Sequence, residues 1–335
     1  MLRFALTALA LLPWTAMAQE AHSFKDWSVI CSVTRHCTLF GFGPDSADMT
    51  AHLRLERAAG PDAPLQAWIV YNEASEAPRT IRLGFDDPAL AGLPKQPQAL
   101  AAGERRIPVP ANEALIASLR KGKSIQVDDG SAPAPISLSG AVAALTWLDD
   151  RQGRVGTPSA LIAKTGKGST LPAPITVILR KPVTVTPLAV QPTPPAELLQ
   201  IVTDTCSLDD PGKEAEPQAT RLTDQKILWE VVCEKAAYNI NSLFFIEEKG
   251  ELEPAVFLEP RVEAPGLAPS NMLTMAHVNP EDRTVSSFAR GRGMGDCGVI
   301  GQWIWDGVEF RLQSYLMMPE CRGVPSEDWP DMMQR

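Results

Sequence analysis

The residues with most chemical promise lie in RGRGMGDCGVIGQWIWDG, from Arg290 to Gly307. Gly293, Gly295 and Gly298 match G-x-G-x-x-G, the spacing that lets a backbone wrap a pyrophosphate. That chemistry needs a strand before the glycines and a helix after them, so that the helix N-terminus meets the phosphates. Here the glycines run into Val299-Ile300-Gly301-Gln302-Trp303-Ile304-Trp305 and then Asp306-Gly307, which reads as a strand and a turn. A dinucleotide site is rejected on that context, and no cofactor is expected. Arg290, Arg292 and Asp296 remain on the glycine loop, with two readings. They pair among themselves, or the arginines hold an anionic group, since arginine suits bidentate contact with carboxylate or phosphate. Gln302 and Arg311, on the polar face of the following hairpin, join them as candidate ligand-binding residues.

Other reactive arrangements fail on count or spacing. Of four histidines, His22 is near the start, His36 lies between two cysteines, and His52 and His277 sit near candidate strands. No serine has the G-x-S-x-G elbow, so no catalytic triad is assembled. A cysteine nucleophile needs a free thiol, which an even set in an oxidising compartment does not leave. Cys31, His36 and Cys37 offer three metal ligands, but the spacing is wrong for zinc and a fourth is missing, so no metal is expected. AKTGKGSTLP fails as a phosphate loop because Ser169, not lysine, follows Gly168. Carboxylates such as Asp149, Asp150 or Asp296 supply a hydrolytic alternative, provided two converge across a cleft about 5–10 Å apart.

The elements that must position these residues begin behind a leader. Arg3, an apolar run from Phe4 to Leu12, and Ala16-Met17-Ala18 read as a secretory signal peptide, residues 1–18. The run falls short of the roughly 20 residues that span a bilayer, so no transmembrane segment is expected after cleavage. The mature chain is expected to be soluble and periplasmic. A net charge of −9 without a basic run excludes nucleic acid, because phosphate binding needs clustered Lys and Arg. Six cysteines in an exported chain read as disulfides, with 15 pairings open. Neighbourhood suggests Cys31–Cys37, Cys206–Cys233 and Cys297–Cys321, the first pair being set apart by a proline-rich segment.

That segment, residues 181–197, is expected to be an extended linker between residues 19–180 and 198–335. In the first part, Trp27, Val29 and Cys31 fall on one face of a strand, and LQAWIVYNE, TIRLGF and SIQVDDG read as strands. PANEALIASLRKG reads as a helix stopped at Gly122, and SGAVAALTWLDDRQGR as a helix capped by Ser139 and stopped at Gly153. In the second part, TPPAELLQIVTDTC reads as a short helix capped by Thr193 or opened by Pro194. ILWEVVC and SLFFIEE read as strands, with a hairpin at Lys249-Gly250. Asp306-Gly307 predicts a two-residue turn that sets Trp305 opposite Val308, Trp303 opposite Phe310 and Gly301 opposite Leu312 on a core face. The other face then pairs Gln302 with Arg311 and Ile304 with Glu309. The fold class is α+β and mostly β: a β-sandwich-like N-terminal domain with two helices, and a C-terminal antiparallel β meander with one short helix. W-x-V-x-C recurs at Trp27–Cys31 and Trp229–Cys233, a weak internal echo.

FKDWSVICSVTRHC, AVAALTWLDDRQGRVGTPSAL, WEVVCEKAAYN and FARGRGMGDCGVIGQWIWDGVEFRL together resemble DUF1176, an exported bacterial family of unknown function. The first half is more faintly similar to the invasion-associated locus B proteins, which implies a β-sandwich-like first domain. Their second cysteine pair is absent from ISLSGAVAAL. The function expected is that of a non-catalytic envelope protein binding an unknown envelope protein or a small anionic ligand. An envelope hydrolase and an inhibitor of a cell-wall-degrading enzyme are the alternatives.

Overall fold

The structure, a computed structural model, describes residues 21–44, 50–130, 134–166, 185–206, 216–260 and 267–333. The signal-peptide expectation, the start of the proline-rich segment and the end of AKTGKGSTLP lie outside these residues.

The first half builds β1 (Ala21–Phe24), β2 (Trp27–Cys31), β3 (Cys37–Gly41), β4 (Ala51–Arg57), β5 (Leu65–Tyr71), β6 (Arg79–Phe85), β7 (Gln98–Leu100) and β8 (Arg106–Pro108). Helix α1 (Glu113–Lys121), β9 (Ser124–Asp128), β10 (Ala134–Ser137) and α2 (Ala141–Arg151) follow. Asn112 caps α1 by accepting from the Leu115 N–H, and the Gly122 N–H closes it on the Ser118 carbonyl. Leu115, Ile116 and Leu119 form its buried stripe. At α2 the cap is Gly140, not Ser139. Gly140 has a φ of 105°, and a β-carbon there would fall 1.8 Å from the Phe24 carbonyl oxygen. Close approach of β1 therefore selects glycine where a hydroxyl cap was expected.

One antiparallel sheet has the order β1-β2-β3-β4-β5-β8, and a second has β10-β9-β6-β7. Trp27, Val29, Cys31, Leu53 and Leu55 of the first sheet share a core with Ile81 and Ile125 of the second and with Leu145 of α2. The first sheet is unusual in burying its other face too. Ile30, Phe40 and Phe42 pack into a cluster with Leu228, Phe257, Trp303 and Trp329 from the second half. Burying each of these phenylalanines contributes roughly 1.5–3 kcal/mol. Hydrophobic packing thus joins residues from both sides of the proline-rich segment.

The second half builds α3 (Ala196–Thr205), β11 (Gln218–Arg221), β12 (Lys226–Lys235), β13 (Ile240–Glu248), β14 (Glu251–Pro254), β15 (Phe257–Pro260) and β16 (Leu267–Ser270). It continues with β17 (Met272–Thr274), β18 (His277–Asn279), β19 (Thr284–Arg290), β20 (Gly298–Trp305) and β21 (Phe310–Met318). Pro195 occupies the α3 cap position and no side chain caps the helix, so neither Thr193 nor Pro194 has the expected role. Its apolar side, Leu198 and Val202, packs on Trp229, Val231 and Cys233 of β12. Both W-x-V-x-C segments therefore face a core. All sheet pairings here are antiparallel: β11-β12-β13-β14 with β17 also on β13, β15 with β16, and β18-β19-β20-β21. The expected mostly-β α+β class is observed.

All three suggested disulfides are present: Cys31–Cys37, Cys206–Cys233 and Cys297–Cys321. The first links directly opposed residues of β2 and β3.

The β20–β21 hairpin departs from its expected register. Trp305 pairs with Phe310, Ile304 with Arg311 and Trp303 with Leu312, so the connection is Asp306-Gly307-Val308-Glu309. The Asp306 carboxylate accepts from the Val308 and Glu309 N–H groups and thereby builds a longer turn. The register moves by two residues, which preserves the faces: Trp303, Trp305 and Phe310 are buried, while Val308 is exposed. A bulge then sets Gln302 opposite Ser314 and Gly301 opposite Tyr315. The Trp303 ring lies against Gly301, leaving no room for a β-carbon.

Candidate functional site

The glycine loop joins β19 to β20, two antiparallel strands, with no helix after it. The Gly291 N–H donates to the Cys297 carbonyl and the Gly295 N–H to the Arg292 carbonyl, which folds 291–297 into a closed turn. Gly298 has a φ of 130°, and a β-carbon there would lie 2.0 Å from the Ala289 carbonyl oxygen. Its place in the motif is set by hairpin geometry rather than by a phosphate.

Within this turn Arg292 and Asp296 form a fork-to-fork pair. Arg292 Nε donates to Asp296 Oδ1 at 2.6 Å and Nη2 to Oδ2 at 2.5 Å. The Gly323 N–H donates to the same Oδ2 at 2.7 Å. The guanidinium and this N–H hold the Asp296 carboxyl below its usual range, against the opposing effect of burial. Asp296 is nearly buried, but the Arg292 side chain is 43% exposed. Two of its donor sites are engaged on one edge, so its other edge is open to a ligand.

The pair faces a cleft of about 850 Å³. Tyr71, Asn72, Glu73 and Arg79 line one side; Arg292, Met294, Asp296, Arg322 and Glu327 line the other. The walls come from opposite sides of the proline-rich segment. Arg79 is an ion-pair partner of Asp129 at 3.9 Å and stacks on the Tyr71 ring. The Arg322 guanidinium lies over the Phe42 ring. The Cys297–Cys321 disulfide ties the loop carrying Arg292 to the segment carrying Arg322.

Below the cleft, a buried polar layer joins the two halves. Asp328, in a short 3-10 helix (Ser326–Asp328), forms an ion pair with Arg105 Nη1 at 2.6 Å and accepts from Arg106 Nη2 at 2.7 Å. Both arginines keep its carboxyl ionised below the usual range. Arg54 Nη1 donates to the Asp328 carbonyl at 2.6 Å, and Asn72 Nδ2 donates to the Arg322 carbonyl. His52 Nδ1 lies 2.9 Å from Asn72 Oδ1. Burial is the main cause that lowers the His52 pKa to about 4, with Arg54 and Arg105 adding to it.

The remaining candidates lie elsewhere. Arg290 stacks over Phe288 and is outside the cleft lining. Gln302 is exposed on β20. Arg311 pairs with Asp306 and Glu309 at the hairpin loop. The hydrolytic carboxylates are also dispersed. Asp149 is buried in the first half, accepting from the Leu161 and Ile162 N–H groups, while Asp150 is exposed at the end of α2. Tyr71, Glu73, Arg79, Arg322 and Glu327 escaped sequence reasoning because tertiary contact alone gathers them. The one local signal was the position of Arg322 beside Cys321.

The molecule is thus a disulfide-tied, mostly antiparallel β protein with an arginine-bearing cleft between its halves. Residues 21–334 match the family described as protein of unknown function (DUF1176), and the chain belongs to that family. It is 32% identical, over 361 aligned positions, to the uncharacterized protein YpfG of Escherichia coli (strain K12), covering 98% of this chain and 97% of that protein. No solved structure matches. No helix among the described residues is long and apolar enough to cross a membrane.

Proposed function

We propose that this is an exported, non-catalytic binding protein of the bacterial envelope that holds a carboxylate- or phosphate-bearing ligand in the cleft at Arg292. The observation that carries this reading is the state of Arg292, clamped on one edge by Asp296 and exposed on the other within a cleft. A guanidinium fixed before the ligand arrives loses little freedom on binding, and its open edge matches a carboxylate or phosphate. Asp296 is then the positioning residue. Arg79 and Arg322 add positive charge to the lining, and Met294, 78% exposed, offers apolar contact at the same site. The signal-peptide reading of residues 1–18 and the three disulfides support an oxidising compartment.

A thermal-unfolding screen with citrate, inorganic phosphate and acetyl-D-alanyl-D-alanine tests the reading, because a ligand that binds only the folded state raises Tm. At least one probe is expected to raise the Tm of the mature protein and to lose that effect in Arg292→Ala. Equal shifts in the variant, or none in either protein, count against the proposal.

A further inference from the structure

The Arg292 cleft carries a second charge that anion binding leaves unused. Arg292 is paired with Asp296, Arg79 with Asp129, and Glu327 lies 3.5 Å from Arg105. Glu73, on the wall opposite Arg292, is exposed and has neither a hydrogen bond nor an ion pair among the described residues. On an open surface such a carboxylate is ordinary. Glu73 differs because the backbone that carries it is fixed relative to Arg292. It follows Asn72, which is buried. The Asn72 N–H donates to the Thr50 carbonyl, and its Nδ2 donates to the Arg322 carbonyl at 3.1 Å, across the two halves. The Cys297–Cys321 disulfide leads from Arg322 to Asp296, and Asp296 holds Arg292. A continuous path of hydrogen bond, disulfide and ion pair thus spaces a free carboxylate from an open guanidinium edge.

The chemistry of the two walls defines a ligand. Calcium and magnesium ions take about six or more oxygen ligands, so one free carboxylate suits an ammonium group better than a metal. Arg292 suits a carboxylate or phosphate. The Thr50 and Ser326 hydroxyls also line the cleft, have no hydrogen-bond partner among the described residues, and can bond amide groups. An extended peptide carries an ammonium and a carboxylate at opposite ends, spans roughly 3.3–3.6 Å per residue, and has amides between them.

We propose that the cleft takes a short peptide with both termini free, its carboxylate on Arg292 and its ammonium on Glu73. This rests on the anion reading of Arg292 and narrows it. A bare anion engages one wall, whereas a zwitterionic peptide engages both halves of the protein.

Calorimetric titration of the mature protein at pH 7 with Ala-Ala-Ala, acetyl-Ala-Ala-Ala and Ala-Ala-Ala-amide tests it, because the three differ in which end is charged. Ala-Ala-Ala is expected to bind about fivefold tighter than its acetylated form, and about tenfold tighter than its amide. In Glu73→Gln the free and acetylated peptides are expected to bind equally. Glu251→Gln, which removes an exposed carboxylate outside the cleft, should keep the preference. Equal affinity for the free and acetylated peptides in the unmodified protein would overturn the peptide assignment while leaving the anion reading intact. A preference that survives Glu73→Gln, or that Glu251→Gln removes equally, would overturn it too, by placing the ammonium elsewhere. Binding of none of the three at millimolar concentration would also sink it, and the citrate and phosphate shifts then decide separately whether Arg292 binds anions.

Discussion

Arg292 and Asp296 raised an either-or question, pairing or ligand binding, and their geometry allows both at once. Asp296 accepts three charge-assisted or backbone hydrogen bonds and is almost out of solvent, so its role is to fix neighbours. Arg292 is half exposed, but it supplies two of those three hydrogen bonds and is the main cause that lowers the Asp296 carboxyl. Asp296→Ala and Arg292→Ala should therefore each lower the unfolding free energy by about 1–3 kcal/mol, because either change ends the same charge-assisted pair. Urea unfolding followed by near-UV dichroism measures both, and a cost below about 0.5 kcal/mol for Arg292→Ala would show that the pair contributes nothing to the fold. Gly298→Ala is expected to cost about 2–3 kcal/mol or more, since its φ and the nearby Ala289 carbonyl both exclude a side chain. The same experiment reads that loss.

At the scale of elements, the parts legible in the sequence were those set by local chemistry. Asn112 and Gly122 bound α1, Lys249-Gly250 turns β13 into β14, and near neighbours formed the disulfides. The β20–β21 faces were also readable, but not the turn length, because the Asp306 side chain builds a four-residue loop. β4 was missed for a different reason. Leu53 and Leu55 enter one core while His52 and Arg54 are buried against the other half, so half of a buried strand looks polar. The cleft was illegible because its two walls are far apart in the chain. The short helix at Ser326–Asp328 is the key contact between them. Asp328→Ala strands Arg105 without its closest carboxylate and should cost about 3 kcal/mol, against about 1 kcal/mol for removing the α1 cap in Asn112→Ala. Thermal unfolding of the two variants side by side checks that order; a smaller loss for Asp328→Ala would mean that the apolar contacts alone hold the halves together.

For the molecule as a whole, the buried polar layer makes stability sensitive to acid. His52 titrates at about 4 in the folded protein and near 6.5 when unfolded. Between those values the unfolded chain binds more protons, so the full stability exists above pH 6.5 and declines as pH falls toward 4. The loss from this residue alone should reach about 2 kcal/mol at pH 5. Glu56, held to about 2, extends the decline below its unfolded value of 4.5. Urea unfolding at pH 7.5 and pH 5 measures the slope, and His52→Gln should flatten it; an unchanged slope would place the acid sensitivity elsewhere. Binding is the central claim, and calorimetric titration of the mature protein beside Arg292→Lys tests it most directly, using whichever carboxylate or phosphate probe raises Tm. Lysine keeps the charge but cannot be clamped on one edge while offering a fork on the other. The account predicts one saturable site whose affinity falls about tenfold in Arg292→Lys. Equal affinity in the two proteins would contradict it.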